Sequence, residues 1–205
     1  MIALVGCRGV APGVPGSGVA KTEQRTVADF DEIEIQGAGK LDASIGPLSA
    51  VSVTSDDNLL PMLETTVRGK TLVIRERENI RPKNGPSFKV TVPNIKTITV
   101  NGAASINVTG IKNESLIVAV RGAGKIELAG QTQKLDFQLD GAGALYSMGL
   151  TAKRVAASIN GTGAAEVNAV DELKASLTGM GSITYVGDPK VEKSIGGLGR
   201  VSKKG

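Results

Sequence analysis

A chain of 205 residues with 24 basic and 20 acidic side chains carries a net charge of +4, and an aromatic content of 2% leaves only an aliphatic core available to it. The absence of histidine excludes Ser-His-Asp and Cys-His nucleophile systems and the commonest zinc ligand, and a single cysteine excludes an internal disulfide. Dispersed charge with few aromatic platforms argues against nucleic acid, and 27 glycines argue against helices, so the domain reads all-β with no cofactor or metal called for.

The N-terminus opens on the apolar run Met1-Ile2-Ala3-Leu4-Val5, which ends in Gly6-Cys7. Leu4-Val5-Gly6-Cys7 resembles the lipobox of bacterial lipoprotein signal peptides, and the resemblance implies that Cys7 is lipidated. The usual basic n-region and full apolar h-region are missing, so Met1 is expected to lie inside a longer signal. The alternative is a buried free cysteine. Gly9 to Gly18 is rich in glycine and proline without a core-forming pattern, and reads as a tether. Residues 1–20 are thus expected to be signal remnant, lipobox and linker, and residues 21–205 a single domain. No segment reaches the ~18 apolar residues needed to span a bilayer, so membrane attachment is expected through lipid only.

A first glycine doublet, Gly37-Ala38-Gly39, follows Ile33 and Ile35. Residues 45–97 then form an irregular β section. Val51 to Thr54, Thr65 to Arg68, Thr71 to Arg75 and Phe88 to Val92 read as strands, and Gly69-Lys70 reads as a two-residue hairpin turn. Arg77 to Ser87 holds two prolines, Asn84-Gly85 and the cations Arg77, Arg81 and Lys83, so it reads as an exposed loop. Charged loops on rigid β scaffolds often carry recognition, and these three cations are the candidate binding residues.

From residue 98 to 205 glycine doublets recur at Gly102, Gly122, Gly141, Gly161, Gly179 and Gly197, at intervals of 18–20 residues. Gly102-Ala103-Ala104 alone lacks the second glycine. Two residues before each first glycine stands an aliphatic: Ile35, Val100, Val120, Leu139, Ile159, Leu177 and Ile195. Four residues after it stand Leu41, Ile106, Ile126, Leu145, Ala165, Ile183 and Val201. Period-2 alternation puts these on one face, with Glu127, Gln138, Asp140, Ser158 and Thr178 on the other. A repeat near twenty residues, holding two strands and their turns, predicts a right-handed parallel β-helix-like solenoid with coils of 18–20 residues. Its corners would fall at the glycines. Phosphate-binding readings of the doublets fail. The third glycine of a dinucleotide fingerprint is replaced by Asp42, Glu127, Tyr146, Glu166, Thr184 and Ser202, and Gly124-Lys125 is followed by Ile126.

From Gly16 onward the chain resembles the "putative auto-transporter adhesin, head GIN domain" family. The resemblance rests on Phe30, Ile33 and Ile35 before Gly37-Ala38-Gly39, on Ser55-Asp56-Asp57-Asn58-Leu59-Leu60, on Leu72-Val73-Ile74, on Val90-Thr91-Val92-Pro93, and on the closing array. It implies a secreted or lipid-anchored bacterial envelope protein with a parallel β-helix fold, and it brings no catalytic residues. The expected function is that of a non-catalytic envelope lipoprotein, an adhesin or surface-binding module for an envelope polymer, glycan or protein. A polysaccharide-active enzyme is the first alternative, although Asp42, Glu127, Asp136, Asp140, Glu166 and Glu172 fall at different places within their repeats. A periplasmic structural or regulatory partner protein is the second.

Overall fold

The computed structural model describes residues 13–204; Cys7 lies outside them. Apart from one short 3-10 turn at Leu60–Met62, every regular element is a strand. In chain order these are β1 (Val14–Pro15), β2 (Ala20–Arg25), β3 (Glu32–Ile45), β4 (Ala50–Asp56), β5 (Leu63–Arg68), β6 (Thr71–Glu76), β7 (Ile80–Arg81), β8 (Ser87–Val92), β9 (Thr97–Val186) and β10 (Lys190–Lys203).

A straight strand of the 90 residues in β9 would run to roughly 300 Å. Equivalent residues of successive repeats instead lie against one another, as Gly122 does on Gly102 and Gly179 on Gly161. β3 pairs in parallel with the start of β9, setting Ile35 beside Val100, Gly37 beside Gly102 and Leu41 beside Ile106. β10 repeats the same register against the end of β9, setting Leu177 beside Ile195, Gly179 beside Gly197 and Ile183 beside Val201. The array is therefore stacked in register from Glu32 to Lys203.

Glycine makes this stacking sterically possible. The first glycine of every doublet has a left-handed backbone, with φ of +137° at Gly141. A β-carbon at Gly141 would strike the carbonyl oxygen of Gly122, and one at Gly161 would strike that of Gly141. The second glycine is held by close approach instead, since a β-carbon at Gly143 would strike the Gly124 carbonyl. Ala104 takes that place in the repeat lacking the doublet, and there the neighbouring Gly124 is looser, with the Ala104 carbonyl 3.6 Å from where its β-carbon would lie.

Alternation does the rest. Apart from Ile195, the aliphatic residues two before and four after the corner glycines are buried and belong to one core running from Phe30 to Val201. Each fully buried aliphatic contributes about 1.5–3 kcal/mol relative to exposure. Gln138, Asp140, Ser158 and Thr178 face outward as expected. Ile195 departs from the pattern: it holds a core position yet is 42% exposed, on a strand that among the described residues is paired along one edge.

One end of the stack is capped by the irregular section. β3 turns its second edge to β6 along Glu32–Gln36 and to β8 along Lys40–Ile45. Antiparallel partners then continue outward, β5 on β6, and β4 followed by β2 on β8. Gly69 (φ +65°) turns the β5–β6 hairpin, where Arg68 faces Thr71. Two expectations need correction here. Arg77 to Ser87 is not a loop throughout, because Ile80 is buried and forms β7 with Arg81, and Ser87 already opens β8. The described part of the proposed tether is not free either, since Val14–Pro15 pairs with Ile80–Arg81.

Gly141→Ala is expected to lower stability by more than ~1 kcal/mol, because the substitution meets both an unfavourable φ and a fixed backbone carbonyl. Gly85→Ala, with open space around it and an ordinary φ, is expected to change stability by less than ~0.5 kcal/mol. Urea denaturation of the two variants checks the corner argument, and equal midpoints would refute it.

Candidate functional site

The cap places most of the chain's specific polar chemistry in one region. At its centre Asp56, fully buried at the end of β4, accepts four hydrogen bonds. Gly18 N–H (2.9 Å) and the Asn84 side-chain amide (2.7 Å) reach Oδ1, while Lys83 N–H (2.7 Å) and Asn84 N–H (3.1 Å) reach Oδ2. Burial alone would push this carboxyl up. The Asn84 side chain and the backbone donors of Asn84, Lys83 and Gly18 outweigh that and hold it below the usual carboxylate range.

The neighbouring residues of the Ser-Asp-Asp-Asn run do the same work on the segment 13–18. Asp57 accepts from the Ser17 hydroxyl, Asn58 Oδ1 accepts from Ser17 N–H, and the Asn58 amide donates to the Pro15 carbonyl. Gly16 N–H donates to the Arg81 carbonyl and Val14 N–H to that of Asn79. Residues 13–18 thus form a strap clamped across the cap. Sequence reading found the run but missed its role; the signal available was an Asp ending an otherwise alternating strand, next to two further polar residues.

Each of the three candidate cations has a different partner. Arg77 shares the Glu64 carboxylate with Arg75, at 3.3 and 2.8 Å. Arg81 Nε donates to the Gly13 carbonyl at 3.1 Å, and Lys83 Nζ to the Ser17 carbonyl at 3.4 Å. All three residues are exposed, and among the described residues no carboxylate pairs with Arg81 or Lys83. Glu64 is held at about 2, first by the Arg75 hydrogen bond and then by Thr66 and Arg77, against the opposing effect of burial. Arg77 also borders a polar cleft of about 470 Å³ together with Gln24, Arg25, Thr26 and Thr65.

On the flank of the stack, a second and shallower cleft of about 240 Å³ crosses the outward columns, with Gln138, Ser158, Ser176 and Ser194 from successive repeats on its floor. The carboxylates weighed as catalytic lie outward in the same way, and five of the six are engaged by near neighbours. Asp42 pairs with Lys40, Glu127 with Lys125 and Glu172 with Lys174, while Asp136 and Asp140 accept from Gln138 and Asn160. The face of Tyr146 is covered by the Lys125 ammonium, 5.4 Å from the ring centre.

An all-β protein of stacked repeats with one elaborated end is the class that this architecture defines. Residues 29–189 match the model of the family described as "putative auto-transporter adhesin, head GIN domain", and the chain belongs to that family. Among solved structures it is similar to a putative adhesin from Bacteroides fragilis, with 20% identity, a TM-score of 0.76, and coverage of 94% of this chain and 100% of the other. It is also similar to a putative lipid binding protein from Parabacteroides distasonis (23% identity, TM-score 0.56, 95% and 100% covered). A putative adhesin from Parabacteroides merdae is a third (20% identity, TM-score 0.53, 95% and 100% covered). The comparison with curated proteins gave no match.

Two expectations follow from the cap. Glu64 titrates lower in the folded chain than in the unfolded one, so its contribution to stability is complete above about pH 4.5 and is lost as pH falls toward about 2. In Glu64→Gln, the decline of the urea midpoint across that window should be shallower; an unchanged slope would count against the Arg75–Glu64–Arg77 group. Asp56→Ala removes the acceptor of the strap, and hydrogen exchange at Gly16 and Gly18 should accelerate relative to the amides of β9.

Proposed function

We propose that this protein is a non-catalytic bacterial envelope lipoprotein, held at the membrane through Cys7, that serves as an adhesin or surface-binding module. On this reading its stacked repeats form a right-handed parallel β-helix, and the single domain spans residues 21–205, preceded by the N-terminal signal remnant and strap. Membership of the adhesin-described family is the observation that carries the proposal. The dispersed and individually paired carboxylates favour binding over catalysis, because hydrolysis or elimination at a sugar needs acidic or basic groups converging on one bond.

The ligand class that best suits the cap is an anionic envelope polymer. Arg77 and Arg25 line one wide polar cleft that the Arg-paired Glu64 carboxylate shares, and Arg81 and Lys83 stand beside the strap without a carboxylate partner among the described residues. Arg25 lies on β2 and Arg81 on β7, so little backbone entropy is lost at these two when a ligand orders them. The strap also bears on placement. Gly13 is already fixed to Arg81, and six residue steps from Cys7 at ~3.5 Å each span only about 20 Å. A lipidated Cys7 would therefore keep the cap, and its cations, close to the bilayer surface.

Replacing Arg77, Arg81 and Lys83 together by alanine should weaken binding to isolated envelope polymer while leaving the unfolding midpoint within ~1 kcal/mol, and wild-type binding should weaken with added salt. Undiminished binding by the triple variant would remove the cap cations from consideration. In the natural host, Cys7→Ser should move the protein from the membrane to the soluble fraction. An unmodified Cys7 thiol on soluble wild-type protein would overturn the anchor.

A further inference from the structure

The two ends of the stack are unlike. β3 is covered on its outer edge by β6 and β8, whereas among the described residues β10 pairs with β9 alone and its other edge carries no strand. An unpaired edge of 14 residues is a template for another strand unless it is blocked.

Three features mark the end of the stack that β10 forms. Two core columns end in lysine: Lys193 stands beside Ala175, in the column of Val118, Phe137 and Ala157, and Lys203 stands beside Tyr185, in the column of Leu128 and Val167. The corner column also changes character. Ala38, Ala103, Ala123, Ala142 and Thr162 give way to Met180 and then Leu198, which pair with one another at 56% and 81% exposure. Met180 and Leu198 are thus neighbouring exposed apolar side chains at this end, and Ile195 is a further exposed aliphatic on β10. Finally, Lys190, Lys193 and Arg200 have no carboxylate partner among the described residues, while Glu192, the one acid on the strand, lies 3.9 Å from Lys174. The edge is thus apolar at its corner and cationic along its length.

We propose that β10 is the docking surface for an extended acidic strand of a partner protein, which adds to the stack as one more strand. Main-chain hydrogen bonds along β10 would supply affinity, carboxylates opposite Lys190, Lys193 and Arg200 would supply register, and an apolar side chain would cover Leu198 and Met180. A second copy of this chain fits less well, because two such edges would bring like charges together. This proposal is independent of Cys7 and of the cap cations.

The test uses a 14-residue peptide copying Lys190–Lys203 in which Lys190, Lys193, Arg200 and Lys203 are each glutamate, with the unaltered copy as comparison. The acidic peptide should bind the full chain, slow hydrogen exchange of the β10 amides and lose affinity with salt, while the unaltered copy should bind at least about tenfold more weakly. The variant Lys190→Glu/Lys193→Glu/Arg200→Glu should reverse that preference. Leu198→Ser should weaken the acidic peptide severalfold without moving the unfolding midpoint, since Leu198 is almost wholly exposed. Equal binding of both peptides would overturn the proposal in favour of a second copy as occupant. Failure of both to bind would overturn it in favour of an edge guarded against pairing, and exchange protection elsewhere than β10 would also overturn it.

Discussion

The close approach of one backbone to the next at the glycine corners is the constraint on which the remaining structure depends. From Gly102 to Gly197, each first glycine brings its Cα so near the carbonyl of the equivalent residue one repeat earlier that a side chain has no room. This contact fixes the registration of repeats. Once Gly141 sits on Gly122, the pleat places Leu139 and Leu145 inward and Asp140 and Tyr146 outward without further instruction. A slip by one residue would turn the aliphatic columns to water and the charged columns into the core, so registration and burial reinforce each other.

Stacking transfers an unsolved problem to the two ends, and the protein treats them differently. The first end is closed by a section that abandons the repeat and uses antiparallel hairpins, which need only short turns such as Gly69-Lys70. Closing it also requires buried polar groups to be satisfied, and Asp56 shows how: a carboxylate without solvent is acceptable because four donors converge on it. The strap is a consequence, since one of those donors is Gly18 N–H. The last end keeps its strand edge open and places cations where the core columns would have continued.

The same geometry distributes chemistry along the chain. Outward columns are repeated too, and in places they bring complementary groups of successive repeats together. Asn160 donates to Asp140 and Asn101 to Glu34 across adjacent layers, and Lys174 lies between Glu172 and Glu192. The cap and β10 add cations of their own, Arg81 and Lys83 at one end and Lys190, Lys193 and Arg200 at the other.

Much of this was legible in the sequence because a repeat displays its own constraint: glycines at intervals of 18–20 residues and aliphatics at fixed offsets from them place the core column by column. Local rules sufficed for the Gly69-Lys70 turn and for the strands flanking it, since φ preference and alternation act over a few residues. What the sequence could not show depended on contacts between distant segments. Ile195 has the same local pattern as Leu177, yet it is exposed on β10, which among the described residues is paired along one edge. Residues 13–18 have the composition of a free tether, and only hydrogen bonds to Asp56, Asp57, Asn58 and Arg81 hold them down. Arg77, Arg81 and Lys83 are near in sequence, but the fold gives them Glu64, Gly13 and Ser17 as separate partners. Composition and periodicity determine what each repeat is and which way it faces, because those follow from bonds and sterics along the chain. The partners at the ends were decided by tertiary structure, because an end is defined by what is not stacked upon it.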